Sequence, residues 1–391
     1  MNIIGIKDQK ELNRKKVLIT VLISILLIIS IVLVCVYIAN KPFREFIDKY
    51  VLMKNVSENN VASITIDETQ NNYIFTYDKY ICVFSQNTLV GYNSSGNKEY
   101  ELKVEINNPI VDISNRFLLI AEKGKNKIYL ISGNNIVWEN ELEGNISRVS
   151  VNKNGYVSVI LTGTTYKSII KTYDIAGKEI FTTYLSNSIA MDCDISFDNK
   201  YLSFAEISTD GTILQSMIKT ISIQKAQETP SESIIGAINS PSDSIVVNLK
   251  YQDGNKIVCM YNDSIHYIDN GETQELLKLN ENQKISFADI ELNNFAFRII
   301  EESVLFSTDS IVELINISTK KVNIYTLDSV VKQVYTYDNV VALNLGSEVH
   351  FIGTNGWLIR KYTSSQEVRK IVINSNFAGI VYRDKIEIVV L

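Results

Sequence analysis

The sequence is poor in the residues on which most site chemistry is built. Two histidines and four cysteines in 391 residues leave little material for a zinc cluster or a disulfide scaffold. Basic charge is not in excess either, with 38 Lys and Arg against 44 Asp and Glu. A dedicated nucleic-acid binder needs a concentrated basic surface to displace phosphate counterions, so that class is excluded. Disorder is excluded as well, because 46% of the residues are hydrophobic and the net charge of -6 is small for the length. His266 and His350 have no HxxxH or HExxH context. Cys82, Cys193 and Cys259 sit in apolar runs whose spacing gives no disulfide framework, and read as small buried hydrophobes.

What is present begins with an uncharged run over residues 17–39. A helix of that length covers about 34 Å, enough to cross a hydrocarbon core, and only a helix satisfies its own backbone there. The run is longer than a signal-peptide core, and the bulky Tyr37 spoils the best cleavage site, so an uncleaved signal anchor is expected. Lys7, Lys10, Arg14, Lys15 and Lys16 precede it, whereas the basic residues after it are diluted by Glu45, Asp48 and Glu58. That bias places residues 1–16 in the cytoplasm and the remainder outside a single-pass cell-membrane protein. Residues 40–60 follow as a juxtamembrane amphipathic segment, with Phe43, Phe46, Ile47, Tyr50 and Val51 on one helix face and Pro42 fit for a first turn.

From residue 61 the pattern turns to short Val, Ile, Tyr and Phe runs separated by Asn, Gly, Asp and Ser, which predicts an all-β chain. Two units alternate. One is a strand-turn-strand such as DISFDNKYLSFAEI, and the other is a strand, a Gly-containing turn and a strand near an aromatic, such as KIYLISGNNIVWENEL. Together they make four-stranded meanders of about 40 residues, the size of a propeller blade. The expected blades are 73–105, 109–143, 146–186, 189–228, 234–279, 284–327 and 330–363. Three strands in 367–391 remain, and the strand at 61–66 is expected to complete them and close the ring. The fold class is therefore an eight-bladed β-propeller over 61–391 behind one transmembrane helix. Seven blades or a stack of sandwiches are the alternatives.

Tyr129, Gly133 and Trp138 in one unit, and Tyr173, Gly177, Lys178 and Phe181 in the next, follow Y-x-I-x-G and then an aromatic four or five residues on. This resembles the repeat of quinoprotein-type, pyrroloquinoline quinone-like propellers, and the stretch around Ser196 to Ser203 is similar to WD-like repeats. With its single N-terminal span the chain also resembles an uncharacterised bacterial family of membrane-anchored propellers. Quinoprotein dehydrogenases hold their cofactor in a dedicated pocket beside calcium. No such motif is visible here, so no cofactor and no metal site is expected.

Aligning the innermost strands on Ser114, Ser150, Ser196 and Glu291 brings Asp112, Arg148, Asp194 and Asp289 to equivalent positions, with Lys370 in the last blade and Asp192 on the same strand face as Asp194. A ring of mixed charge at one end of the central channel is expected. Lys123, Lys125 and Lys127 form a second, loop-borne basic candidate. Residues 223–236 read as an exposed loop between the fourth and fifth blades. The leading expectation is a non-catalytic binding or scaffolding module, anchored through residues 17–39, whose partner is an envelope protein or a cell-wall glycan. The alternatives are a quinoprotein-like oxidoreductase or propeller glycan lyase or hydrolase, and a ligand sensor signalling through a membrane partner.

Overall fold

The computed structural model describes residues 4–52, 54–57, 62–208, 214–241, 244–252, 256–280, 283–304 and 307–391, in two units, Met1–Val56 and Ser57–Leu391. In the first unit a single helix runs Ile4–Ala39, and its stretch Lys16–Ala39 is long and apolar enough to cross a membrane. Asn40 then ends one helix and starts another. Its side chain accepts from the Phe43 N–H at 2.9 Å and caps Lys41–Tyr50, with Pro42 in the first turn where a missing N–H costs nothing. Phe46 and Val51 of the apolar stripe stay exposed, while Asp48 is buried between the Tyr37 hydroxyl (2.6 Å) and the Lys54 ammonium (2.8 Å).

The second unit is all β. Its strands form eight antiparallel sheets, each built on a four-stranded meander. Blades 1 to 8 span 73–103, 109–141, 145–185, 188–239, 246–278, 284–327, 333–363 and 370–390. The eighth has only three strands from that range, and Ala62–Thr65 supplies the fourth. Ile64 lies opposite Ile386 and Ser63 opposite Glu387, and the Ile66 N–H continues the ladder to the Asp384 carbonyl at 2.9 Å. Val61 lies outside the described residues. This pairing hides the edge and the apolar face that three strands alone would leave open.

The hydrophobic core is a series of layers between blades. Leu119 and Leu130 of blade 2 pack with Val159 and Leu161 of blade 3, and Phe297 and Val312 of blade 6 with Val341 and Leu343 of blade 7. The Gly-Lys turn of the repeat motif serves that packing. Gly177, at φ +78°, lies beneath the ring of Trp138 from the preceding blade, where a Cβ would come within 2.7 Å of the indole, and Asn140 donates to its carbonyl at 3.2 Å. Only glycine meets both demands.

One boundary differs from the expectation. Ile234–Asn239 is the outer strand of blade 4, with Ile238 opposite Ile218, and does not open blade 5. The segment between is ordered: Ser222 caps the helix Ile223–Glu228, and a 3-10 turn follows at Pro230–Glu232. Residues 223–233 are thus an insertion inside a hairpin, anchored by buried Ile223, and 234–236 already belong to the strand that follows it.

Candidate functional site

The first strand of each blade lies nearest the axis, and those of blades 2 to 5 and of blades 7, 8 and 1 pack on one another in turn. They belong to different sheets, so no backbone ladder joins them, and side chains do so instead. Tyr77 of blade 1 donates to the Arg116 carbonyl of blade 2 (2.5 Å), and Asp112 accepts from the Val151 N–H of blade 3 (2.7 Å). Ser150 donates to Asp194 of blade 4 (2.7 Å). Asp192 and Asp194, two residues apart, accept from the equally spaced N–H groups of Leu249 (3.0 Å) and Tyr251 (2.8 Å) in blade 5. Gln252 reaches Ile290 of blade 6 (3.1 Å), and Asp289 takes the Thr336 hydroxyl of blade 7 (2.6 Å). Gln333 accepts from the Ile371 N–H of blade 8 (3.1 Å), and the Lys370 ammonium closes the circle on the Ile74 carbonyl of blade 1 (2.6 Å). Every seam carries a bridge near the axis.

Asp112, Asp289 and Lys370 also line a single cavity of about 680 Å³. Asp192 and Asp194 do not. They are buried against blade 5, while Arg148 is exposed and acts on Asp192 only through its charge. The cavity opens among the turns that follow the first strands, where Asp78 and Asp338 stand at its rim. Tyr73, Tyr335 and Tyr337 contribute aromatic wall, and Glu291 projects into the interior.

Sequence reasoning missed these last groups, and it missed Lys250. The Lys250 ammonium lies 3.8 Å from Asp112 and 3.7 Å from Asp194, so a blade 5 side chain meets one from blade 2. Burial works against its charge, but Asp112, Asp194, Glu291 and Asp192 outweigh that and hold it above the usual lysine range. Burial also pushes Asp192 up to about 6 against the Leu249 N–H and the Arg148 charge, and raises Asp194. Glu291, open to channel water but ringed by protein, is pushed up to about 8 by that enclosure and by Asp289. The rim carries a signal that alignment on serine overlooks. Thr-Tyr-Asp closes the first strands of blades 1 and 7, at 76–78 and 336–338 (a third copy, 172–174, ends the third strand of blade 3), and in both rim copies the threonine hydroxyl ties its strand to the preceding blade, Thr76 to Ile373 (2.6 Å) and Thr336 to Asp289.

The remaining candidates lie elsewhere. Lys123 and Lys125 are exposed on a blade 2 turn, whereas Lys127 opens the next strand and is held by Glu105 at 3.1 Å. Cys82, Cys193 and Cys259 are buried free thiols, and burial raises that of Cys82 to about 12. His266 bonds Ser264 (3.0 Å) in blade 5, and His350, lowered to about 4 by burial, bonds Tyr325 (2.9 Å) at blades 6 and 7; neither lines the cavity. Among the described residues no group of three or more His, Cys, Asp and Glu is placed to hold a metal ion.

The fold and its axial cavity define an eight-bladed β-propeller protein with one apolar N-terminal helix. Solved structures agree at the level of fold. Sqt1 from Chaetomium thermophilum has a TM-score of 0.54 at 9% identity, covering 85% of this chain and 99% of that one. An oligogalacturonate lyase in complex with manganese gives 0.50 at 8%, covering 85% and 98%. BamB from Moraxella catarrhalis gives 0.49 at 13%, covering 85% and 97%. The chain belongs to the family of unknown function DUF5711, whose family model matches residues 52–391. No curated protein sequence matches it.

Proposed function

We propose that the protein is a single-pass membrane protein that holds its propeller outside the cell as a non-catalytic binding module for an envelope protein or cell-wall polymer. The observation that carries this reading is the axial cavity of about 680 Å³, within the range of ligand pockets, walled by rigid first strands and opening among turns. The basic residues before the apolar helix favour an N-terminus inside, and the 33 basic and 42 acidic residues after position 39 favour a body that stands off anionic lipid.

Crosslinking and pull-down from native membranes, combined with protease treatment of intact cells, test both halves of this reading. Full-length chain should be cut in its propeller by added protease, and should retain an envelope component that a form lacking residues 17–39 loses. A propeller protected until the cells are lysed would overturn the proposed topology. Intact capture by the anchorless form would overturn the role of the anchor.

A further inference from the structure

We propose that the axial cavity binds a linear organic di- or polyamine, one ammonium at the rim between Asp78 and Asp338 and a second at depth beside Asp289, against the rings of Tyr73 and Tyr337. This rests on the binding-module reading of the same cavity and names its ligand class.

Three observations converge. The first is charge. Asp78, Asp338, Asp289 and Glu291 line the cavity, Asp112 is matched by Lys250 in the wall, and Lys370 is the one cation among the described lining residues. Enclosed, low-dielectric walls of one sign focus the field and concentrate counter-ions. The second is that the cavity already seats an ammonium. Lys370 points its amine at the Ile74 carbonyl at 2.6 Å, with the Tyr73 ring 4.9 Å away, so carbonyl and aromatic face together hold an organic cation here. The third is length. Thr336, whose hydroxyl meets Asp289, lies on the strand Gln333–Tyr337, two residues before Asp338 in the turn that follows, which separates the depth carboxylate from the rim by at most about 7 Å. A butane-1,4-diamine chain spans such a gap, and the volume admits a longer amine. A metal ion is the poorer fit, because no three of these carboxylates converge closely enough to coordinate one among the described residues.

Protonation gives an independent readout. Glu291 faces Asp289 in its own turn, Lys250 of blade 5, Asp112 of blade 2 and Asp192 of blade 4, and enclosure first, then the acids, favours its protonated form over the opposing charge of Lys250. An ammonium seated beside it favours the ionised form, so binding should release protons and tighten as pH rises from 7 to 8.5.

The test is titration calorimetry of putrescine and spermidine into full-length protein in detergent micelles, at low salt and in buffers of different ionisation enthalpy. Saturable binding is expected, weaker for choline by about tenfold and weakened by salt. The double variant D78N/D338N should lose at least tenfold in affinity with an unchanged melting temperature, since both aspartates are exposed turn residues at φ +52° and +49° that asparagine adopts readily. Absence of heat with the native chain, equal affinity in the double variant, displacement by equimolar magnesium, or preference for a lysine-containing peptide would each overturn it. Partner capture without amine binding would sink this inference and leave the scaffold reading standing; amine binding without capture would do the reverse.

Discussion

The two halves of the propeller's axis use the same kind of position differently. On the side of blades 2 to 5, Asp112, Asp192 and Asp194 accept backbone N–H groups of the next blade, and Lys250 lies among them as a shared counter-ion. On the side of blades 6, 7, 8 and 1, Asp289 leans on a hydroxyl, Lys370 on a carbonyl, and the rim acids Asp78 and Asp338 stand exposed over the cavity. One half has spent its charge on closing seams. The other keeps acid in excess around an open space, and that excess is what a ligand can use.

The contrast breaks most severely at Lys250. Replacing it in K250M leaves Asp112 and Asp194 without their counter-ion, and removing one partner of a buried charge group costs about 3–5 kcal/mol. Denaturant unfolding of the full-length protein should show that loss at pH 7.5 and a smaller one in acid, because burial raises Asp194 and favours its neutral form as pH falls. A loss under about 1 kcal/mol would mean that the closed half does not depend on this lysine.

The next largest effect should have the opposite sign. The folded-state value of Asp192, about 6, lies above its ordinary 3.8, so the folded protein binds that proton more tightly than the unfolded chain. Its penalty is absent below about pH 4, grows as pH rises, and is complete above about pH 6, where two units correspond to about 2–3 kcal/mol. D192N keeps an oxygen for the Leu249 N–H and removes the charge. It should stabilise the protein by that amount at pH 7.5 and by nearly nothing at pH 3.5. Equal effects at both pH values would show that burial does not penalise this carboxylate.

The fold was legible because its signals are local. Strand alternation, Asn and Gly turns and a tyrosine-to-tryptophan motif recur with one period, and the eight sheets follow that period. The limits of blade 4 were not legible, because a helix capped by Ser222 interrupts a hairpin and mimics a link between blades. That single displacement hid Lys250. With blade 5 opened at Ile234, the strand Val246–Gln252 was never aligned with the other inner strands. Asp112, Asp289 and Lys370 were found by position, yet position does not say which carboxylate meets an N–H and which faces a cavity. That depends on what the next blade offers, Leu249 and Tyr251 N–H groups in one case and the Thr336 hydroxyl in the other.

The smallest expected effect sharpens that last difference. T76V and T336V remove the same hydroxyl from the two Thr-Tyr-Asp copies at the rim and keep a β-branched side chain suited to a strand. Thr76 is buried, and its hydroxyl satisfies the Ile373 carbonyl while meeting Tyr335, so its loss should cost about 1.5 kcal/mol. Thr336 is only partly buried, and Asp289 still receives the Glu291 N–H at 2.8 Å, so T336V should cost about 1 kcal/mol or less. In exchange it frees an oxygen of Asp289 toward the cavity. Denaturation should therefore rank T76V as the more damaging, while calorimetry should find T336V binding putrescine as well as or better than the native chain. If T336V weakened amine binding instead, the Asp289 carboxylate would be a seam group like those of the closed half, and the distinction between the halves would shrink to the two rim aspartates.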